Sequence, residues 1–261
     1  MTVYAITPIV IAVALFLLWL LSLKLKDASI VDIFWGLGFA MVAVTTYWAT
    51  DGFAGRKQLI TALTIIWGVR LAWHIGSRNL SVFGGKGEDY RYQAMRKKLG
   101  AKFPIISLFS VFLLQGALMW LISLPVQAAQ IPAQPDRLTG WDYAGLLVWI
   151  AGFLFEAVGD WQLRRFKSNP ANKGKLMDQG LWAFTRHPNY FGDALLWWGF
   201  YLIAYAAGAW WTVFSPALMT FLLLKVSGVA MLERSLTKTK PEYEAYARRT
   251  NAFLPWFPKT Q

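Results

Sequence analysis

The chain has 261 residues, 56% of them apolar, with 15 Trp, 18 Phe and no cysteine, and its 26 Lys and Arg against 14 Asp and Glu leave a net charge of +12. A soluble domain averages about 45–50% apolar and about 25% charged, whereas here only 15% of residues are charged and the mean hydropathy is +0.39. Disorder, a collagen-like chain and a nucleic-acid-binding domain are therefore poor readings, and the missing cysteines exclude disulfides, thiolate zinc sites, iron–sulfur clusters and a cysteine nucleophile.

A helix crosses a bilayer with about 20 mostly apolar residues. Seven segments meet that length, at about 3–23, 28–50, 58–80, 104–126, 141–163, 190–208 and 210–231. The first has no cleavage pattern behind it and reads as a retained helix. The sixth and seventh form a tight hairpin. The expectation is an all-α polytopic membrane protein of seven transmembrane helices, one domain over 1–261, with a tail at 232–261.

The loops orient it. Of the 26 cations, 21 fall in alternate loops and the tail, three (Arg56, Lys57 and Arg137) fall on the opposite side, and Arg70 and Lys225 lie inside helices. This positive-inside asymmetry predicts an outside N-terminus and a cytoplasmic tail. It also makes the two long loops, about 81–103 and 164–189, cytoplasmic. The run Gly36-Leu37-Gly38 is too short to read as an oligomer contact.

A charge held at the bilayer centre costs roughly 2.5–3.5 kcal/mol on insertion scales, so a retained one marks a functional site or an internal ion pair. Asp32, Arg70, His74, Glu156, Asp160, Asp193 and Lys225 are so placed. Arg70 and His74 share a helix face. Glu156, Asp160 and Arg164 run i, i+4, i+8 along the fifth helix, and Asn189 and Asp193 repeat that spacing at the start of the sixth.

Two cytoplasmic loops are rich in donors. The first carries Arg78, Gly84-Gly85-Lys86-Gly87-Glu88-Asp89, Arg91 and Arg96. Its glycines let backbone approach a ligand while its cations offer phosphate donors, although no dinucleotide-fold or P-loop spacing is present. A basic loop on anionic lipid is the plainer alternative. The second carries Lys167, Lys173 and Lys175, then Arg186-His187-Pro188-Asn189-Tyr190-Phe191-Gly192-Asp193. Pro188 suits the first turn of a helix. The N–H groups freed there, with Arg186 and His187, favour an anion, while Asn189, Tyr190 and Asp193 suit a neutral polar part of the same ligand.

The stretch from Arg186 to Asp193 resembles the C-terminal signature of membrane steroid 5α-reductases and sterol reductases. The whole chain is similar to the DUF1295 branch of that superfamily, on Val31-Asp32-Ile33-Phe34-Trp35-Gly36, Gly84–Asp89, Tyr246-Ala247-Arg248-Arg249-Thr250 and Phe253-Leu254-Pro255. The resemblance implies a seven-helix fold that binds NADPH from the cytoplasm and delivers hydride to the β-carbon of an enone. It implies Asp160, with Glu156 one turn earlier, as cofactor acids, followed by Arg164 and Lys167, and Asn189 with Asp193 as the family's Asn–acid pair. Lys173, Lys175, Arg186, His187, Tyr190, Arg78, Arg91, Tyr246 and Arg248 complete the expected cofactor set. Asp32 falls near the family's carbonyl-binding glutamate and Arg70 at its third-helix arginine. Trp67 stands where the steroid reductases carry a catalytic tyrosine, and an indole donates a hydrogen bond without delivering a proton. Carbonyl polarisation then passes to a neutral Asp32, to Tyr47 or to another tyrosine. The expected partners are a hydrophobic small molecule (a steroid or other lipid enone) and membrane lipids, with no metal and no nucleic acid, in a bacterial inner membrane. The alternatives are an S-adenosylmethionine-dependent methyltransferase of the isoprenylcysteine carboxyl methyltransferase kind, which shares Arg-His-Pro-x-Tyr, and a lipid-binding or transport protein without chemistry.

Overall fold

The computed structural model describes residues 2–79, 87–226, 228–240 and 242–259, and every regular element among them is helical. They form two compact units, residues 1–138 with 207–209 and residues 139–206 with 210–261.

In the first unit, α1 (Val3–Leu25), α2 (Ile30–Ala49) and α3 (Ala54–Asn79) are each long enough to cross a bilayer. α1 is apolar all round, as a lipid-embedded helix is, and ends where Lys26 turns left-handed (φ 54°) and its N–H donates to the Leu23 carbonyl. α2 and α3 cross at Gly36 and Gly68, where a Cβ on Gly36 would stand 2.1 Å from the Gly68 carbonyl oxygen. Gly36 thus serves contact inside the chain. α3 begins four residues before the expected span, and its first cations meet protein groups. Arg56 donates to the Arg137 carbonyl at 3.3 Å, and the Lys57 ammonium lies 4.7 Å from the Tyr47 ring.

The expected fourth span is one stage of a longer, broken helix. α4 (Tyr90–Leu99) lies in what reads as a loop, its N-cap Asp89 accepting from Arg91 N–H. A 3₁₀ turn at Gly100–Lys102 leads into α5 (Phe103–Ser107), a π-helical stretch at Leu108–Leu113 and α6 (Leu114–Ile122). Pro125 then opens the separate α7 (Leu124–Ala128).

In the second unit, α8 (Gly140–Ser168) starts on a reciprocal cap between Thr139 and Asp142 and runs five residues past the expected end. The short α9 (Leu181–Phe184) precedes α10 (Pro188–Ala206), which opens on Pro188 as expected. Gly145, Gly152 and Gly159, seven apart on α8, meet α10 at Gly199, Gly192 and Pro188–Asn189. Lipid tails are as apolar as leucine, so membrane helices associate through close backbone approach at small residues rather than through a hydrophobic effect. A 3₁₀ turn at Trp210–Val213, α11 (Phe214–Phe221) and a π turn at Leu222–Val226 follow, then α12 (Val229–Thr239) and α13 (Tyr243–Arg249).

Among the described residues five stretches are long and apolar enough to cross a membrane: Val3–Leu25, Ile30–Ala49, Ala54–Arg78, Tyr90–Ile122 and Gly140–Ser168. The expected sixth and seventh spans correspond to Pro188–Ala206 and to the shorter apolar helix Trp210–Val226. The protein is an all-helical integral membrane protein.

The α8–α10 crossing is testable by thermal unfolding in detergent. A Cβ on Gly192 would lie 2.3 Å from the Glu156 amide nitrogen, whereas one on Gly140 meets nothing within 4 Å. Gly192→Ala is expected to destabilise by about 1–3 kcal/mol, and Gly140→Ala to be neutral or stabilising by at most about 1 kcal/mol.

Candidate functional site

The second unit gathers the sequence-predicted acids. Glu156 and Asp160 sit one turn apart on the face of α8 that α10 covers, and both are buried. Asn189, in the first turn of α10, donates from Nδ2 to Asp160 Oδ1 at 3.0 Å. The Asn189 Oδ1 is itself buried and accepts no hydrogen bond among the described residues. Asp193 is one turn further along α10, half-buried. Glycine at 192 and 159 is what lets these polar groups approach, since larger side chains would hold the two backbones apart. Past the acids, Arg164 and Lys167 are exposed on the last turns of α8, and Lys173, Lys175 and Arg248 are exposed beyond it.

The Arg186-His187 pair has a different occupation from the one its motif implies. Arg186 is only 10% exposed and its donors are spent inside the unit. Nε and one terminal nitrogen donate to Glu233 Oε1 at 2.9 and 2.6 Å, and the other terminal nitrogen donates to the carbonyls of Ala247 and Thr250 at 2.9 and 2.6 Å. His187 Nε2 lies 3.3 Å from the same Glu233 oxygen, its ring stacked on Tyr190 at 5.6 Å. The buried Tyr246 donates its hydroxyl to the Trp182 carbonyl, and Arg249 pairs with Asp178. Arg186, His187 and Tyr246, expected as cofactor ligands, therefore clamp α12, α13 and the segment after them onto the start of α10. The cations left at the surface are those of 164–175 and Arg248.

Glu233 holds this clamp together, and sequence reasoning assigned it no role; a single acid within α12, just past the last apolar run, is the only trace it leaves. The hydrogen bond with His187 lowers its pKa, burial opposes that, and the Arg186 guanidinium lowers it further, to about 2. Burial, aided by the Glu233 charge, pushes the neighbouring Tyr243 hydroxyl up to about 12. Two cavities flank the clamp. One of about 470 Å³ is lined by Lys175, Asp178, Glu242 and Arg249, and one of about 520 Å³ by Trp161, Gln162, Arg165 and Met177; Phe166, Asn172 and Gln179 line both.

The first unit holds the other predicted residues. Trp67 is fully buried in the core, its ring 5.6 Å from Phe39. Arg70 is half-buried on the next turn and Arg78 is exposed at the end of α3. Asp32, expected to polarise a substrate carbonyl, has both oxygens engaged by protein. Its two oxygens take hydrogen bonds from Tyr92 and Arg91, each at 2.7 Å. Arg91, expected at the cofactor, bridges Asp32 and Asp89. Burial raises the Asp89 pKa but the Arg91 hydrogen bonds outweigh it, leaving this carboxyl below its ordinary value. Gln115 donates to the Tyr92 hydroxyl at 3.3 Å and accepts from Trp35 at 2.5 Å. Glu88 accepts from the Ala28 N–H at 2.9 Å and pairs with Arg96 at 2.7 Å. The Glu88-Asp89 part of the motif thus ties α4 to the start of α2. The glycine-rich run at 84–86 lies outside the described residues. Gln115 lies in no motif, and Tyr92 stands at the end of the first loop's string without a local sign of its partner. Among the described residues no group of His, Asp and Glu gathers as a metal site would.

Across residues 18–250 the chain matches the family described as a protein of unknown function, DUF1295. This protein belongs to the DUF1295 family. The matched span encloses both clusters of the DUF1295 chain, from Asp32 to Arg249. It is also similar to the uncharacterised protein C594.04c of Schizosaccharomyces pombe, 23% identical over 263 residues that cover 91% of this chain and 75% of the relative. No solved structure matches it.

Two outcomes follow for this DUF1295 member. The depressed Glu233 pKa means that its contribution to stability is complete above its ordinary 4.5 and is lost as pH falls toward about 2. The melting temperature is expected to drop on acidification through that window, and Glu233→Gln to lower it at neutral pH and flatten this dependence. Asp32 and Arg91 are partly exposed, so Asp32→Ala is expected to cost about 1–2 kcal/mol, between a surface pair and a broken buried one. Urea unfolding of the detergent-solubilised protein measures it.

Proposed function

We propose that this chain is an NADPH-dependent reductase of an activated carbon–carbon double bond in a hydrophobic substrate. It is a member of the steroid 5α-reductase superfamily with seven spans, an outside N-terminus and a cofactor entrance on the cytoplasmic side of a bacterial inner membrane. The observation that carries the reading is the hydrogen bond from Asn189 to the buried Asp160, with Glu156 one turn away and a buried Asn189 oxygen that has no hydrogen-bond donor among the described residues. Buried polar groups are rarely left unsatisfied. An amide acceptor beside two carboxyls fits a ligand rich in N–H and O–H donors, as a carboxamide and ribose are.

NADPH supplies, when bound, the hydride that the β-carbon receives. Asn189 would take an N–H of the carboxamide on its unsatisfied oxygen, and Asp160 would fix the orientation of that amide through the hydrogen bond it already makes. Arg164 and Lys167 continue the same helix past the acids, and Lys173, Lys175 and Arg248 add exposed charge, a sequence from neutral-polar to cationic that matches a nicotinamide riboside followed by phosphates. The Arg186–Glu233 clamp would hold the start of α10, and with it Asn189, in place. Burial of Glu156 and Asp160 between helices keeps water from competing for these contacts.

Thermal shift of the protein in nanodiscs tests this. NADPH in hundredfold excess over its Kd is expected to stabilise by about 2.7 kcal/mol, and S-adenosylmethionine to do nothing. Asn189→Ala and Asp160→Ala should each weaken NADPH binding by a loss of about 1–3 kcal/mol. Stabilisation by S-adenosylmethionine instead of NADPH would turn the assignment to a methyltransferase, and stabilisation by neither would remove the reductase reading.

A further inference from the structure

The strongest feature outside this site is the segment 251–259, which follows α13. It has no helix or strand, yet it is fixed. The Asn251 carbonyl accepts from Arg186 N–H, Trp256 N–H donates to the Phe184 carbonyl, and Lys259 N–H donates to the Arg249 carbonyl, each at 2.9 Å. Thr185 Oγ1 donates to the Phe253 carbonyl at 2.8 Å. Thus held, the segment turns its largest apolar side chains outward. Leu254, Trp256 and Phe257 are 66%, 69% and 75% exposed, and Phe257 meets the exposed Phe184 ring edge-on at 5.9 Å. A rigid backbone presenting a Trp and a Phe to the outside needs an occupant.

Three observations say what it is. The Phe253 ring, one residue before the exposed cluster, packs on Phe191 of α10, which in turn meets Phe155 of α8. The cluster therefore lies at the level of the last apolar turns of a helix long enough to cross a bilayer. On that helix Leu147, Ile150, Leu154, Val158 and Trp161 form one exposed apolar stripe, with Arg165 over the Trp161 ring at 5.4 Å. An apolar stripe closing on a Trp–Arg pair is how a helix meets the headgroup layer. The exposed cluster is likewise bracketed by exposed cations, Arg248 before it and Lys259 after it, where anionic headgroups would sit.

We propose that the strap 251–259 is a membrane-interface anchor, with Leu254, Trp256 and Phe257 inserted at the headgroup–acyl boundary of the leaflet that the carboxyl end of α8 reaches. Its occupant is lipid. Because the strap is hydrogen-bonded to residues 184–186, just before Asn189, the anchor fixes the start of α10 against the membrane surface. This inference does not depend on which cofactor the protein binds.

The absence of cysteine makes the test direct. Phe257→Cys carries the only thiol in the chain and takes a single nitroxide label. In vesicles of phosphatidylcholine and phosphatidylglycerol, paramagnetic resonance reads its collision with oxygen, which enters lipid, and with a nickel chelate, which does not. Glu244→Cys on α13 serves as the aqueous reference and Leu147→Cys on α8 as the lipid reference. The label at 257 is expected to show a ratio of oxygen to nickel accessibility several-fold above that at 244, approaching that at 147, and Trp256→Cys to repeat it. A ratio equal to that at 244 would overturn the proposal in favour of a solvent-exposed strap. Shielding from both reagents would overturn it in favour of a protein partner or a second copy.

Discussion

The close antiparallel crossing of α8 and α10 is the constraint on which the rest of the second unit depends. Without water to drive them together, two helices in a bilayer hold by van der Waals contact, and contact requires that their backbones approach. Glycines at 145, 152 and 159 on one helix and at 192 and 199 on the other permit that approach. Two buried acids and an asparagine can then share one interface. Polar groups so enclosed find their partners in each other or in a ligand, and Asp160 and Asn189 have found each other in part.

The same crossing explains why the Arg-His-Pro motif is divided in function. Pro188 and Asn189 belong to α10 and face α8. Arg186 and His187, on the preceding turn, face the other way and meet Glu233. A guanidinium with four short hydrogen bonds to protein is a fastener, and Glu233, facing both Arg186 and His187, is held well below the ordinary carboxylate range. The motif thus joins residues that face α8 and residues that fasten the tail within four positions. The tail in turn displays the aromatic strap.

In the first unit, Trp67 packs in the core against Phe39. The polar group there is assembled from three separate helices: Asp32 from α2, Arg91 and Tyr92 from α4, and Gln115 from α6. Arg91 could not be read as its partner because the charge count that places Arg91 in a cytoplasmic loop treats the loop as structureless. Asp89 and Glu88 nucleate a helix in that loop and aim it at α2.

The sequence by itself determined the membrane class and the spacing of polar residues on each helix, because hydropathy and a period of 3.6 are properties of contiguous residues. It also placed Glu156, Asp160, Asn189 and Asp193 on two helices at matching intervals. Only the tertiary structure decided that Arg186 and His187 are engaged while the cations of 164–175 remain exposed. Hydrogen-bond donors are finite in number, and whether Arg186 gives its donors to Glu233 or to a ligand depends on a helix 47 residues further along the chain. The direction of the exposed aromatics at 254–257 was likewise decided by backbone hydrogen bonds between distant segments, which no local pattern encodes.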